Sequence, residues 1–221
     1  MVVKNLTRNN IVLLVCLLIL ILLYPLIDVG AGFFQELLMT AVLFSGVFSL
    51  NFSTRSLKIL LPLAAITAAT IWIHYFFPGY IISLIDFIST VLFLIAIVVL
   101  MTRHIAQSQN VTATIILSSI NGYLLLGLLG GVMLIISDIV YRYVHSSEQH
   151  AINFANQHAP DFYDFVYFGF VTLTTLGYGD ATPLSHLARS ISILIALSGQ
   201  LYMTILIAML VGKFLARSKD S

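Results

Sequence analysis

The sequence predicts an all-α transmembrane protein of six spanning helices, with one half-length helical segment folded back between the fifth and the sixth. Three observations carry that prediction. The 221 residues are 60% hydrophobic and only 9% charged, against about 25% charged in soluble domains, and so few charges cannot clothe a water-facing surface. The apolar residues fall in runs close to the roughly 20 residues that a hydrocarbon core of ~30 Å requires. The basic residues gather on one side of the alternating topology that six spans produce.

Taken in order, the first run is Ile11–Ile27, ended by Pro25 and Asp28 and preceded by Lys4 and Arg8. It exceeds a signal-peptide core of about 7–15 residues and no A-x-A site follows, so it reads as a retained anchor helix. The second run covers Phe33–Leu50, with Glu36 near its start. The third covers Leu57–Phe77 and is stopped by Pro78-Gly79, a strong turn signal. The fourth covers Tyr80–Met101 and ends at Arg103-His104. The fifth, Val111–Tyr143, is longer than a straight crossing needs. A polar loop (His145–Pro160) leads to the aromatic segment Asp161–Thr174, too short to span at about 1.5 Å per residue. The last run is Leu184–Leu215.

With a cytoplasmic N-terminus, Lys4, Arg8, Arg55, Lys58, Arg103, Lys213, Arg217 and Lys219 all fall inside, and only Arg142 and Arg189 fall outside. The acids Asp28, Glu36, Asp138, Glu148, Asp161, Asp164 and Asp180 fall at or near the outside. A seventh span would reverse the C-terminal basic cluster, so six fits the positive-inside rule better. Both termini are therefore expected in the cytoplasm of a multi-pass protein of the plasma membrane, the inner membrane in a bacterial cell. The triplets at Asn5, Asn51 and Asn110 fall on the cytoplasmic side, which argues against their glycosylation. Composition also excludes other classes. A net charge of +1 with no basic face excludes nucleic acid as a partner, and a lone Cys16 excludes a disulfide scaffold.

The most informative stretch runs from Tyr167 to Asp180, taking in most of the half-length segment and the glycines beyond its end. Non-helical backbone at membrane depth is tolerated only where it is buried in protein or lines a watery cavity. Gly177 and Gly179 flank Tyr178, so alternate positions can adopt backbone angles closed to residues with a Cβ. Such a strand turns successive carbonyls to one side, and four of them about an axis make stacked oxygen rings for a dehydrated monovalent cation.

The heptapeptide Thr174-Thr-Leu-Gly-Tyr-Gly-Asp180 resembles the selectivity-filter signature of the tetrameric potassium channels, whose carbonyl filter is the established example of this mechanism. An outer helix, an acidic turret, an aromatic pore helix, a filter and an inner helix occur in that family's order over residues 111–215. The resemblance implies that Thr175, Leu176, Gly177 and Tyr178 supply the carbonyls that bind K+, the permeant ion, with the Thr175 hydroxyl closing the inner end. Gly179 and Asp180 would shape the outer mouth, and Thr174, Tyr167 and Phe168 would support the filter. Leu176 stands where valine is commonest, and Tyr167 and Phe168 stand where many members carry two tryptophans. Phe168 has no hydrogen to donate, so bracing is expected from Tyr167. Val171 replaces a glutamate that some bacterial members bond to the filter aspartate.

Gly199 lies at the family's hinge position, with hinge and close helix contact as the two readings of it. Gln200, Met203, Thr204, Ile207 and Val211 form one helical stripe. In the family that stripe lines the cavity, with Ile207, Ala208 and Val211 as candidates for an inner constriction closing by dewetting.

The domain organisation expected is a four-helix transmembrane domain over residues 1–107 and a pore domain over 108–221. The first lacks a voltage sensor: no Lys or Arg occurs between Lys58 and Arg103, and one charge yields only about 2.3 kcal/mol per 100 mV, so steep gating needs several. Glu36, His74 and Asp86 are read as the intramembrane polar residues, all near outer ends where headgroups or water would meet them. His186 and Arg189 lie near the mouth, where a histidine would make conductance depend on pH. Turret histidines 145, 150 and 158 are expected in solvent. No nucleotide- or calcium-binding domain follows the last helix, so regulation by one would need a separate subunit or a longer chain.

The expectation is a homotetrameric, potassium-selective channel in the lipid bilayer, with no cofactor and no enzymatic activity. The other reading left open is a potassium transporter or accessory membrane subunit that binds ions at the loop. Related transporters carry four degenerate loops in one chain, whereas this chain has a single loop with the full Gly-Tyr-Gly.

Overall fold

The computed structural model describes residues 2–23, 31–49, 54–108, 110–146, 149–155 and 159–219. Pro25, Asp28, Asn51, Glu148 and His158 lie outside these residues, as do the side chains of Lys4, Asn5, Arg55, Arg217 and Lys219. The elements are α1 (Val2–Leu18), continued by a π-helical stretch (Ile19–Leu23), then α2 (Ala31–Phe48), α3 (Thr54–Phe76), α4 (Tyr80–Gln107), α5 (Ala113–His145), β1 (Ile152–Phe154), α6 (Phe162–Leu173), β2 (Ala181–Pro183) and α7 (His186–Lys219).

Among the described residues, five helices are long and apolar enough to cross a membrane: Leu6–Leu23, Leu57–Phe76, Tyr80–Gln107, Ala113–His145 and His186–Lys213. The helical segments Gly32–Phe48 and Phe162–Leu173 are shorter. Two boundaries differ from the expected runs. α1 begins at Val2 because its polar first turns are packed: Asn10 is fully buried, and its side chain bonds Ser118 Oγ (3.0 Å) and Asn121 Nδ2 (3.2 Å) of α5. α4 runs past Arg103-His104 to Gln107, since basic residues do not stop a helix. Lys213 Nζ of α7 caps its end by donating to the Ile105 and Ala106 carbonyls, at 2.7 and 3.0 Å.

α5 is the hub, packed against α1, α4, α6 and α7. One apolar core joins α1 to α5 around Leu17, Leu43, Leu60, Phe93 and Ile97. A second surrounds α6 and includes Leu134, Phe165, Phe168, Leu173, Ala188 and Ile195. Tyr80 at the start of α4 stacks on Tyr143 near the end of α5, with centroids 4.1 Å apart. The α3–α4 turn therefore lies at the same end as the loop that leads to α6. At the opposite end, Thr7 of α1 bonds Thr114 of α5 at 2.7 Å. The start of α1 and the Lys213 end of α7 thus share one end.

The loop between α5 and α6 holds a feature the sequence did not announce. β1 pairs antiparallel with β2, Ile152 opposite Pro183 and Phe154 opposite Ala181. His150, expected in solvent, donates from Nδ1 to Asp138 Oδ2 at 2.8 Å, and Ala151 N donates to Asp138 Oδ1 at 2.7 Å. The buried Asp138 needs those partners, so it draws the loop down onto α5.

Candidate functional site

α6 starts from a capping box, in which Asp164 N donates to Asp161 Oδ1 and Asp161 N donates to Asp164 Oδ2. The helix is seated on α5 by small residues. A Cβ on Gly131 would stand 2.7 Å from Val166 Cα, and one on Gly169 would stand 2.7 Å from Gly131 N. A Cβ on Gly127 would press on the Phe170 ring. In lipid, close approach of backbones replaces hydrophobic drive as the force between helices. These glycines were not singled out from the sequence, although the small residues Gly127, Gly130 and Gly131 inside an apolar run carry that signal.

α6 ends at Leu173, with Thr174 as its C-cap (φ −80°). Thr174 Oγ1 donates to Phe170 O at 2.8 Å. The chain then alternates. Thr175, Gly177 and Gly179 have φ of 59°, 55° and 83°, while Leu176 and Tyr178 between them keep ordinary negative angles. The two glycines accept the left-handed region without cost. Thr175 does not: a β-branched residue there is a strained outlier, of the kind that clusters at functional sites. Its neighbours hold it, for Thr175 N donates to Thr172 O at 3.1 Å and Thr175 Oγ1 to Thr174 O at 2.6 Å. Leu176 N and Gly177 N both donate to Val171 O, at 3.0 and 3.4 Å.

The residues singled out from the sequence come together here. Tyr167 Oη donates to Asp180 Oδ2 at 2.6 Å, so the tyrosine braces the strand through its final aspartate. Asp180 O accepts from Ala155 N at 2.8 Å, which fastens the same residue to the loop ribbon. Phe168 is buried in the core around α6 and Val171 beside it. Gln200 reaches the inner end of the strand, with Nε2 3.4 Å from Thr175 Oγ1. At Gly199 a Cβ would overlap the Leu173 carbonyl oxygen, and α7 is unbroken through this point. Close contact with the end of α6 therefore accounts for that glycine.

One chain leaves the site open. Thr174–Asp180 are exposed, with Leu176 at 54% and Tyr178 at 69%, and nothing lies within 4 Å of where a Cβ on Gly177 or Gly179 would be. Along α7, Gln200, Met203, Thr204, Ile207, Ala208 and Val211 are exposed, and so are Leu194, Leu197, Leu201 and Ile205. Among the described residues no group of three or more His, Cys, Asp or Glu is arranged to hold a metal ion. What the strand offers a ligand is backbone oxygen.

Residues 129–216 match the ion channel family. The match takes in the second half of α5, the loop ribbon, α6, the Gly-Tyr-Gly strand and most of α7; residues 1–128 lie outside it. No curated protein and no solved structure matches the chain. Ion channel function is thus supported for the segment that holds the alternating strand. With the long apolar helices of the fold, the match supports a multi-pass membrane protein that carries an ion channel segment.

Proposed function

We propose that the chain is one subunit of a homotetrameric, potassium-selective channel. The observation that carries this reading is the alternation of backbone hand over Thr175, Gly177 and Gly179 on an open face of the chain. Four such strands about an axis give stacked rings of carbonyl oxygen from Thr175, Leu176, Gly177 and Tyr178, which replace the hydration shell of K+. The Thr175 hydroxyl closes the inner end and Gln200 faces the water below it. The negative end of the α6 dipole points at that cavity, stabilising a cation there. The exposed apolar faces of α7 are covered by neighbouring subunits, and its Ile207, Ala208 and Val211 form the inner constriction.

α2 completes six crossings as the second span: Asn10 Nδ2 donates to Ser49 O beyond its far end, while Phe33 near its start packs edge-on against Trp72 near the end of α3. Both termini are then cytoplasmic in a plasma-membrane protein. α4 carries no series of basic residues, so the channel opens without steep intrinsic voltage dependence.

The test is flux from liposomes holding the purified chain. Rubidium and potassium flux, blocked by barium and absent for sodium, is expected. Equal sodium flux would sink the selectivity, and no flux the channel.

A further inference from the structure

Of Glu36, His74 and Asp86, all expected to meet water or headgroups, His74 and Asp86 bond one another, with Glu36 within electrostatic reach. Asp86 lies on α4, only 3% exposed, and its Oδ2 is 3.1 Å from His74 Nδ1 of α3. Thr70 Oγ1 stands 3.2 Å from the other carboxylate oxygen. Glu36 of α2 faces the pair within electrostatic reach of both. No Lys or Arg of α2, α3 or α4 lies between Lys58 and Arg103 to neutralise them. From α5, Arg142 and Tyr143 line the neighbouring cleft with Tyr80 and Ser83.

The hydrogen count at His74 is what makes this a site. Ser83 Oγ lies 2.9 Å from His74 Nε2 and 2.9 Å from Gly79 O. A hydroxyl has one proton to give. When Ser83 donates it to Gly79 O, Nε2 must donate to Ser83 while Nδ1 donates to Asp86, and the ring is an imidazolium. When the hydroxyl turns to Nε2, that nitrogen accepts and the ring is neutral, still donating from Nδ1 to Asp86. Both states are fully bonded, and they interconvert by one O–H rotation and one proton. In the second, Asp86 and the nearby Glu36 have no imidazolium beside them, and like charges so placed disfavour the ionisation of both.

The site is also wired to the pore. The His74 ring meets Phe87 edge-on, centroids 5.7 Å apart. Phe87 packs against both apolar cores, including the one formed by Phe165, Phe168 and Leu173 behind the strand.

We propose that His74, Asp86 and Glu36 form a proton-binding site, reached from the filter-mouth end, that sets ion flux through Phe87. This rests on the channel reading. Protonation places an imidazolium beside the two acids and so holds α3 and α4 together, which favours conduction, and flux falls as outer pH rises.

Two measurements on the full chain in liposomes test it. Nitrogen-15 spectra of labelled histidine, assigned by difference from His74→Gln, should show His74 changing protonation state over the pH range of the flux measurements; a ring that keeps one protonation state throughout overturns the site. Potassium flux at outer pH about 5.5 should exceed that at pH 8 by about fivefold or more, the usual lower range of coupling between sites. That ratio should collapse towards one in His74→Gln and Asp86→Asn while surviving in His186→Gln. Ser83→Ala, which removes only the switching hydroxyl, should displace the midpoint of the curve, and an unmoved midpoint counts against the proposal. Wild-type liposomes without flux at any pH would overturn the channel reading, whereas a ratio unchanged in His74→Gln overturns this inference alone.

Discussion

The Tyr167 hydroxyl donates to Asp180 Oδ2 across 2.6 Å, tying the middle of α6 to the residue that ends the Gly-Tyr-Gly strand. The pair is exposed in one chain, so its bond contributes about 0.5–1.5 kcal/mol, the ordinary net value, and about 1.4 kcal/mol is a factor of ten. Tyr167→Phe is therefore expected to shorten the time for which flux persists by up to about tenfold while leaving the fold intact. Single-channel recording in bilayers reads that time directly, and open periods as long as the parent's would show that the bond does not brace the mouth.

Gly177 sits at φ 55°. Alanine there meets the Cβ penalty of the left-handed region, roughly 1–2 kcal/mol in each subunit. Gly177→Ala should insert normally and lose discrimination of rubidium over sodium. Retained discrimination would mean that the strand does not coordinate the ion.

Gly131 permits α5 to touch α6, since its Cβ would stand 2.7 Å from Val166 Cα and 3.1 Å from Val166 N. Backbone cannot yield as a side-chain tip does, so Gly131→Ala should destabilise by about 1–3 kcal/mol. The expected result is a lower melting temperature in detergent, with flux reduced in parallel. Gly79→Ala, in open space by the same geometry, serves as the contrast and should melt near the parent temperature.

Asp138 accepts from both His150 Nδ1 and Ala151 N. Removing its carboxylate leaves a buried amide unpaired, at about 1–3 kcal/mol. Asp138→Ala should accelerate amide exchange in Ile152–Phe154 and at Thr182, the two sides of the ribbon. Exchange confined to its parent rate would show that the loop is held elsewhere.

Much of the half that matches the ion channel family was readable in the sequence because it is written locally. The aromatic run from Phe162 ends near the point where Thr174 caps it, and the Gly-Tyr-Gly spacing announces the alternating backbone that Thr175, Gly177 and Gly179 display. The ribbon was not readable: three-residue strands such as Ile152–Phe154 and Ala181–Pro183 carry no periodicity, and their pairing spans the whole of α6. Nor was the bond between His74 and Asp86. Hydropathy ranks a residue by depth in the chain's own run, and it cannot tell which polar groups on two helices will find each other. The inner stripe stays unsorted for a related reason. Gln200 and Ile207 are exposed in one chain, and so are Leu201 and Ile205, because what divides cavity from contact is the neighbouring copy.

The connection from α4 to α5 is only residues 108–112, and α4 lies along the α5 of its own chain. So short a tether leaves no means of reaching across to a neighbour's pore segment. In the proposed tetramer each subunit would therefore carry its own adviser. In an assembly mixing altered and unaltered copies, a lesion in the first four helices should act first on the Gly-Tyr-Gly strand of the same copy. The response of mixed assemblies should grade with the number of altered copies rather than be dictated by one.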